Sequence, residues 1–279
     1  MSLTRYAAKG HQPIGYDGDS GWSGGMSEVP VALLQSMLTR PLPITIGGSN
    51  NGTFTLNASV TKPVPIWNAE GFTLLKSTVV YTWNATSNPI LNSSGAAATD
   101  VDSVLGIWYM YLDSAGDTLF PSQTAPSFVE AAVDYPAQLL GHPGTSRADN
   151  YRYVGWMRCT TAATPAFLAA TKVGYTYHFA ETSVATTGTW AALDFTASVP
   201  AIEGIKVAGR LETGVVGSVV VGGSSVEDQG VLHGSAVGLA NNIIDTPFGP
   251  IESDGSGQVY AKDTVARGDV HISQVVDLV

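Results

Sequence analysis

Apolar and polar residues alternate with a period of two along much of the chain, most plainly in three stretches between Arg147 and Leu211. In the first, Tyr151, Tyr153, Met157 and Cys159 fall on one face, with Arg152, Val154, Trp156 and Arg158 on the other. In the second, Val173, Tyr175, Tyr177 and Phe179 alternate with Lys172, Gly174, Thr176 and His178. In the third, Ile205, Val207, Gly209 and Leu211 alternate with Lys206, Ala208 and Arg210. Successive side chains of a strand point to opposite faces, so each stretch predicts a strand with one face packed and one in water. Ile44 and Ile46, then Phe54, Leu56, Ala58 and Val60, extend the pattern upstream. Phe72 to Trp83 and Val104 to Leu112 are apolar on both faces, as expected of strands buried in a sandwich or an interface. Asp113-Ser-Ala-Gly-Asp117 has the composition of a hairpin turn.

A different period appears only near the N-terminus. Residues 1–25 are rich in Gly, Asp and Ser and predict an extended leader. Ser27 offers a helix N-cap, Glu28 suits the first turn, and Pro41 stops the run. Between them Val29, Leu33, Leu34, Met37 and Leu38 form one apolar stripe that needs a groove, marking it as an anchor or oligomer contact. Pro89 to Asp102 and Pro121 to Asn150 read as long loops, and loops of that length are usually functional or interface-forming. The second loop brings Phe128, Tyr135 and His142 into one Pro-stiffened segment, making them candidate receptor or partner contacts. After Leu211 the texture shifts to short Gly-punctuated segments, the first a β-branched run from Val215 to Val221.

The expected fold is therefore all-β, an antiparallel β-sandwich with an extended N-terminal leader, one short helix and a small β-rich C-terminal region. Its expected parts are residues 1–42 (leader and helix), 43–211 (sandwich) and 212–279 (a small domain, or an arm completing a neighbour's sheet).

Composition narrows the functions this surface can perform. Charged residues are 13% of the 279, against the roughly 25% usual for soluble domains. Such a polar but uncharged surface is typical of extracellular adhesins and of subunits that bury much of their outside against copies of themselves. The net charge of −10 and the scattering of the 13 Lys and Arg argue against nucleic acid, which needs clustered cations. No apolar stretch approaches the ~20 residues that span a bilayer, and no secretory signal is expected, so the chain reads as a soluble product of the cytosol. Cys159 is the only cysteine and alternates with apolar neighbours, the pattern of a buried small hydrophobe. Sequons at Asn51, Asn57, Asn84 and Asn92 are read as by-products of Asn- and Ser/Thr-rich loops.

Catalytic signatures do not assemble. The five histidines, His11, His142, His178, His233 and His271, lack local zinc spacing, though a cluster in space stays open. Asp100 with Asp102, and Asp113 with Asp117, could serve as a glycosidase pair, but turns demand the same residues. Asp17 with Asp19, and Asp254, could offer oxygens to calcium, and Gly-rich turns again account for them. Trp22 and Trp67 are the tryptophans placed to be exposed sugar platforms. The expectation is a non-enzymatic chain with no cofactor, no metal and no catalytic residue.

Two segments carry a resemblance. Gly106-Ile-Trp-Tyr-Met-Tyr-Leu-Asp113, a turn, and then Asp149-Asn-Tyr-Arg-Tyr-Val-Gly-Trp-Met157 resemble the jelly-roll-like domains of bacteriophage virion fibre and head-decoration proteins. Thr189 to Pro200 is similar to the Trp…Val-Pro connector of those domains, with Ile205 to Leu211 as the strand after it. The match covers roughly residues 72 to 211 and carries no catalytic residue. It implies a virion surface protein, made in the host cytoplasm and assembled without disulfides. The implied partners are itself, as a homotrimer, and other virion proteins of capsid or tail. The rivals are a carbohydrate- or receptor-binding module of a tail fibre, which would meet a host surface glycan, and, third, a glycan hydrolase.

Overall fold

The computed structural model describes residues 41–47, 52–68, 71–83, 89–98, 105–130, 138–145, 151–161, 166–167, 170–213, 217–226, 234–238, 244–263 and 268–277. Every regular element among them is a β-strand, and every pairing is antiparallel. The leader and the helix expected over Val29–Leu38 lie outside the described residues.

The first sheet orders β1 (Ile44–Gly47), β2 (Thr53–Leu56) and β5 (Val79–Thr82). β3 (Val64–Asn68) and β4 (Gly71–Leu75) pair as a hairpin, as do β6 (Ile90–Leu91) and β7 (Ala97–Ala98). The run from Phe72 to Trp83 is thus two strands in two sheets. The largest sheet runs β10 (Ser127–Glu130), β11 (Gln138–Gly141), β12 (Tyr151–Thr161), β8 (Gly106–Asp113), β9 (Leu119–Ser122), with β13 (Ala166–Phe167) on β12. The long loop expected over Pro121–Asn150 therefore holds two strands. A five-stranded sheet orders β14 (Ala170–Val173), β15 (Thr176–Ala185), β22 (Gly268–Val276), β17 (Lys206–Thr213) and β20 (Ile244–Glu252). The last sheet orders β16 (Ala191–Asp194), β21 (Gln258–Asp263), β18 (Gly217–Gly222) and β19 (Gly234–Gly238).

This topology corrects the boundary expected near residue 212. β22, the last strand of the chain, lies between β15 and β17, and β20 closes the far edge. The strands after residue 212 complete this chain's own sheet, because they fill positions that 43–211 leaves open.

Register corrects two of the strand patterns. Tyr153 stands opposite Tyr111, but Gly155 stands opposite Met110, so one extra residue bulges between them and reverses the alternation. Trp156 consequently pairs with Tyr109 and shares the face of Tyr153, while Met157 pairs with Trp108 on the other. Gly155 has φ +153°, and a Cβ there would lie 2.7 Å from the Tyr177 hydroxyl and 2.9 Å from Ile44 Cδ1. Only glycine suits both the backbone and the space. In the second pattern the chain reverses at Gly174, with φ +61°, and Tyr175, so that Val173 faces Thr176 across a two-residue hairpin. Val173 is exposed as a result, while Tyr177 and Phe179 keep their buried face.

The core is one connected apolar cluster. Trp108 meets Trp83 edge-on at 4.9 Å, and Trp156 meets Tyr177 at 4.9 Å, so neighbours cover both faces of the β8–β12 pair. Ile107 to Leu112 are all buried within the single chain. Of the two settings expected for a strand apolar on both faces, a sandwich or an interface, the single chain itself supplies the cover here.

Candidate functional site

The densest grouping of charged side chains with described contacts lies across β15, β22 and β17. Residues directly opposite in an antiparallel ladder share a face. Arg210 stands opposite His271 and Glu212 opposite Asp269, while His271 stands opposite Ser183 on the other side. Glu181, two residues before Ser183, extends the same row. The reverse face of these strands carries Leu211, Val270 and Ile272, all buried, which fixes the charged row outward.

Arg210 organises the row. Its Nε donates to Glu181 Oε1 at 2.8 Å and Nη2 donates to Glu181 Oε2 at 2.9 Å, a two-pronged pair. Nη1 donates to Glu212 Oε2 at 2.8 Å. The Arg210 hydrogen bonds and the guanidinium charge, with the contact to His271, hold the Glu181 carboxyl below the usual carboxylate range. The His271 ring lies between the two glutamates, with Nδ1 3.3 Å from Glu181 Oε2 and Nε2 3.2 Å from Glu212 Oε2. Glu212, Asp269 and His271 present ligand-type atoms within 4.8 Å of one another. Chemically, the row can lock three strands in register and can hold a cation.

A second polar group is interior. The Tyr153 hydroxyl donates to buried Asp277 Oδ2 at 2.8 Å, while the Asp277 N–H donates to the Tyr175 carbonyl at 2.8 Å. Burial pushes the Tyr109, Tyr153 and Tyr177 hydroxyls up and the Lys172 ammonium down to about 8. Lys172 also sits 5.0 Å from the Tyr177 ring centroid. This group ties the end of β22 to the aromatic face of β12.

His142, named as a candidate partner contact, is buried, which corrects that expected role. His142 Nδ1 accepts the Gly144 N–H at 3.1 Å, so the ring proton is on Nε2 and is donated to Ser122 Oγ at 3.2 Å. In that tautomer the imidazole cannot take a proton from Ser122, and burial lowers its basicity further. His142 works as a post beneath residues 142–145, where its carbonyl accepts from Thr145 N and Thr145 Oγ1. Above it the two expected recognition loops meet, since a Cβ on Gly144 would collide with the Ser94–Gly95 backbone. Phe128, on edge strand β10, is 52% exposed and keeps its outward position. Tyr135 and the stripe Val29, Leu33, Leu34, Met37 and Leu38 lie outside the described residues.

The acidic candidates serve turns. Asp113 Oδ1 accepts the N–H groups of Gly116, Asp117 and Thr118, and Asp254 Oδ1 accepts those of Ser256 and Gln258. Asp17, Asp19, Asp100 and Asp102 lie outside the described residues. Trp22 does too, and Trp67 stands in β3 opposite Phe72. Cys159 is buried, as its alternation predicts.

Sequence reasoning missed the Glu181–Arg210–Glu212–Asp269–His271 row. Its one local signal is Arg210-Leu-Glu212, two opposite charges on one face of a strand.

Fold and row together define an all-β protein of several antiparallel sheets with a charged strand-to-strand ladder. No protein-family model and no curated protein matches this chain.

Proposed function

We propose that this chain is a non-enzymatic structural protein on the surface of a bacteriophage particle, its central sheets forming a jelly-roll-like sandwich. One observation carries the reading. The two segments that resemble phage fibre and decoration domains are β8 and β12, adjacent antiparallel strands at the middle of the largest sheet. The chain leaving the connector with the same resemblance is tied to them, since the N–H of Ala201, the residue after it, donates to the Tyr109 hydroxyl at 2.9 Å, and Val199 within the connector is buried. Residues far apart in sequence thus form one packed unit, as a shared domain requires. The proposed partners are capsid or tail proteins and further copies of this chain. With β8 covered internally, self-association as a homotrimer rests on the leader stripe from Val29 to Leu38, and Phe128 is the described residue best placed to meet a receptor or partner.

The test is particle composition. Phage purified through a density gradient should contain the chain in stoichiometric amount by mass spectrometry, and a chain truncated before residue 41 should be absent from it. A full-length chain that stays wholly in the particle-free fraction overturns the reading.

A further inference from the structure

We propose that Glu212, Asp269 and His271 form a binding site for a divalent transition-metal ion such as zinc, with Glu181 orienting the imidazole. The three ligands come from two adjacent strands, on one face, in facing registers. Their donor atoms lie within 4.8 Å of one another. Zinc holds nitrogen and oxygen at about 2.0–2.2 Å, which puts ligand atoms about 3–4 Å apart, so a small closure completes the shell.

His271 gives the independent pointer. It is 9% exposed, and its Nε2 is buried without a hydrogen-bond partner. That nitrogen faces the carboxylates, 3.2 Å from Glu212 Oε2. The other ring nitrogen, Nδ1, lies 3.3 Å from Glu181 Oε2. A metal-binding imidazole commonly gives its second N–H to a carboxylate, which frees the opposite lone pair for the ion. Without an ion Arg210 Nη2 donates to Nδ1 at 3.2 Å, which leaves the ring proton on Nε2 toward Glu212; an ion takes the Nε2 position as that proton moves to Nδ1, where Glu181 Oε2 accepts it. Glu212 can serve both Arg210 and an ion, since a carboxylate has two oxygens and about four lone-pair positions.

Charge and ligand type choose the occupant. Glu181, Glu212 and Asp269 against Arg210 leave a formal charge of −2 with a neutral imidazole, the complement of a dication. Calcium and magnesium favour all-oxygen shells, whereas an imidazole among carboxylates suits zinc, cobalt or nickel. Bound there, the ion would bridge β17 and β22, and through Glu181 would tie in β15. It would fasten the last strand of the chain into the middle of its sheet.

The experiment uses the full chain, stripped with chelator, dialysed and titrated with zinc chloride by calorimetry, with cobalt absorbance as a second readout. Expected are one ion per chain at micromolar affinity or tighter, a raised melting temperature, and no displacement by calcium. His271→Ala and Asp269→Asn should each abolish that uptake, and Glu181→Gln should weaken it about tenfold to a hundredfold. His178→Ala, at an exposed position of β15, should change nothing. Asp269→Asn removes a ligand while leaving the Arg210 pairs intact, so it carries the test if His271→Ala fails to fold. No saturable zinc uptake, or uptake that Asp269→Asn leaves unchanged, overturns the site.

Discussion

The β8–β12 ladder is packed on both faces, whereas the β15–β22–β17 ladder is packed on one and charged on the other. Both are antiparallel and lie side by side through Trp156 and Tyr177. In the first, stability comes from area and close packing, and each aromatic has apolar neighbours whichever way it points. In the second, ion pairs depend on which residue stands opposite which. A one-residue slip would carry Arg210 and Glu212 to the buried face and Leu211 to water. Packing supplies the larger energy, and the charged row supplies the register.

The largest effects should fall on the packed ladder. Trp108→Ala and Trp156→Ala should each cost about 3–5 kcal/mol, read as a lowered urea midpoint. The two costs should be alike, because the chain covers both faces itself. A Trp108→Ala protein that unfolds at the wild-type midpoint but sheds subunits would instead make that face an intersubunit surface and break the comparison. Next comes Gly155→Ala, at about 2–4 kcal/mol from left-handed backbone strain and overpacking together. Gly106→Ala is its control: φ is +117° but nothing lies within 4 Å of a Cβ, so only the backbone cost of about 1–2 kcal/mol applies.

The same contrast explains what could be read from the chain. β12 and β17 follow from local alternation, β8 from a run apolar on both faces and the Asp113 turn from its composition, and they stand where those signals put them. The face of Trp156 was not legible by counting in twos, since the bulge ahead of it adds one residue. Gly155 inside an aromatic strand was the clue. The hairpin at Gly174 was hidden because alternation continues through a two-residue turn. The charged row joins residues 181, 210, 212, 269 and 271, so it exists only once β22 enters between β15 and β17. No window along the sequence contains that event, and the separate domain expected after residue 212 follows from the same blindness.

Arg210→Met sharpens the comparison from the charged side. It leaves Glu181 and Glu212 without their shared cation, yet the side chains are 27–40% exposed and water offsets much of the loss. About 1–2 kcal/mol is expected by urea unfolding, smaller than either tryptophan effect. The double variant with Glu181→Gln should be less damaged than the two single costs added, by about 0.5–1 kcal/mol, because each single change strands a partner. Strict additivity would mean that the pair contributes no coupling.

The smallest effect is the pH dependence of Glu181. Its folded carboxyl titrates below the ordinary 4.5, chiefly through the Arg210 hydrogen bonds, so the folded chain binds fewer protons than the unfolded one across that interval. The contribution is fully present above the unfolded value and is lost as pH falls through the folded one. Glu181→Gln has no such titration. The stability gap between wild type and Glu181→Gln should therefore hold near pH 6 and narrow toward pH 3. At 40% exposure it should stay under about 1 kcal/mol and shrink in salt. Paired urea titrations at the two pH values measure it. A gap of the same size at both would mean that Glu181 acts by packing, and the charged ladder would then differ from the aromatic one in composition but not in kind.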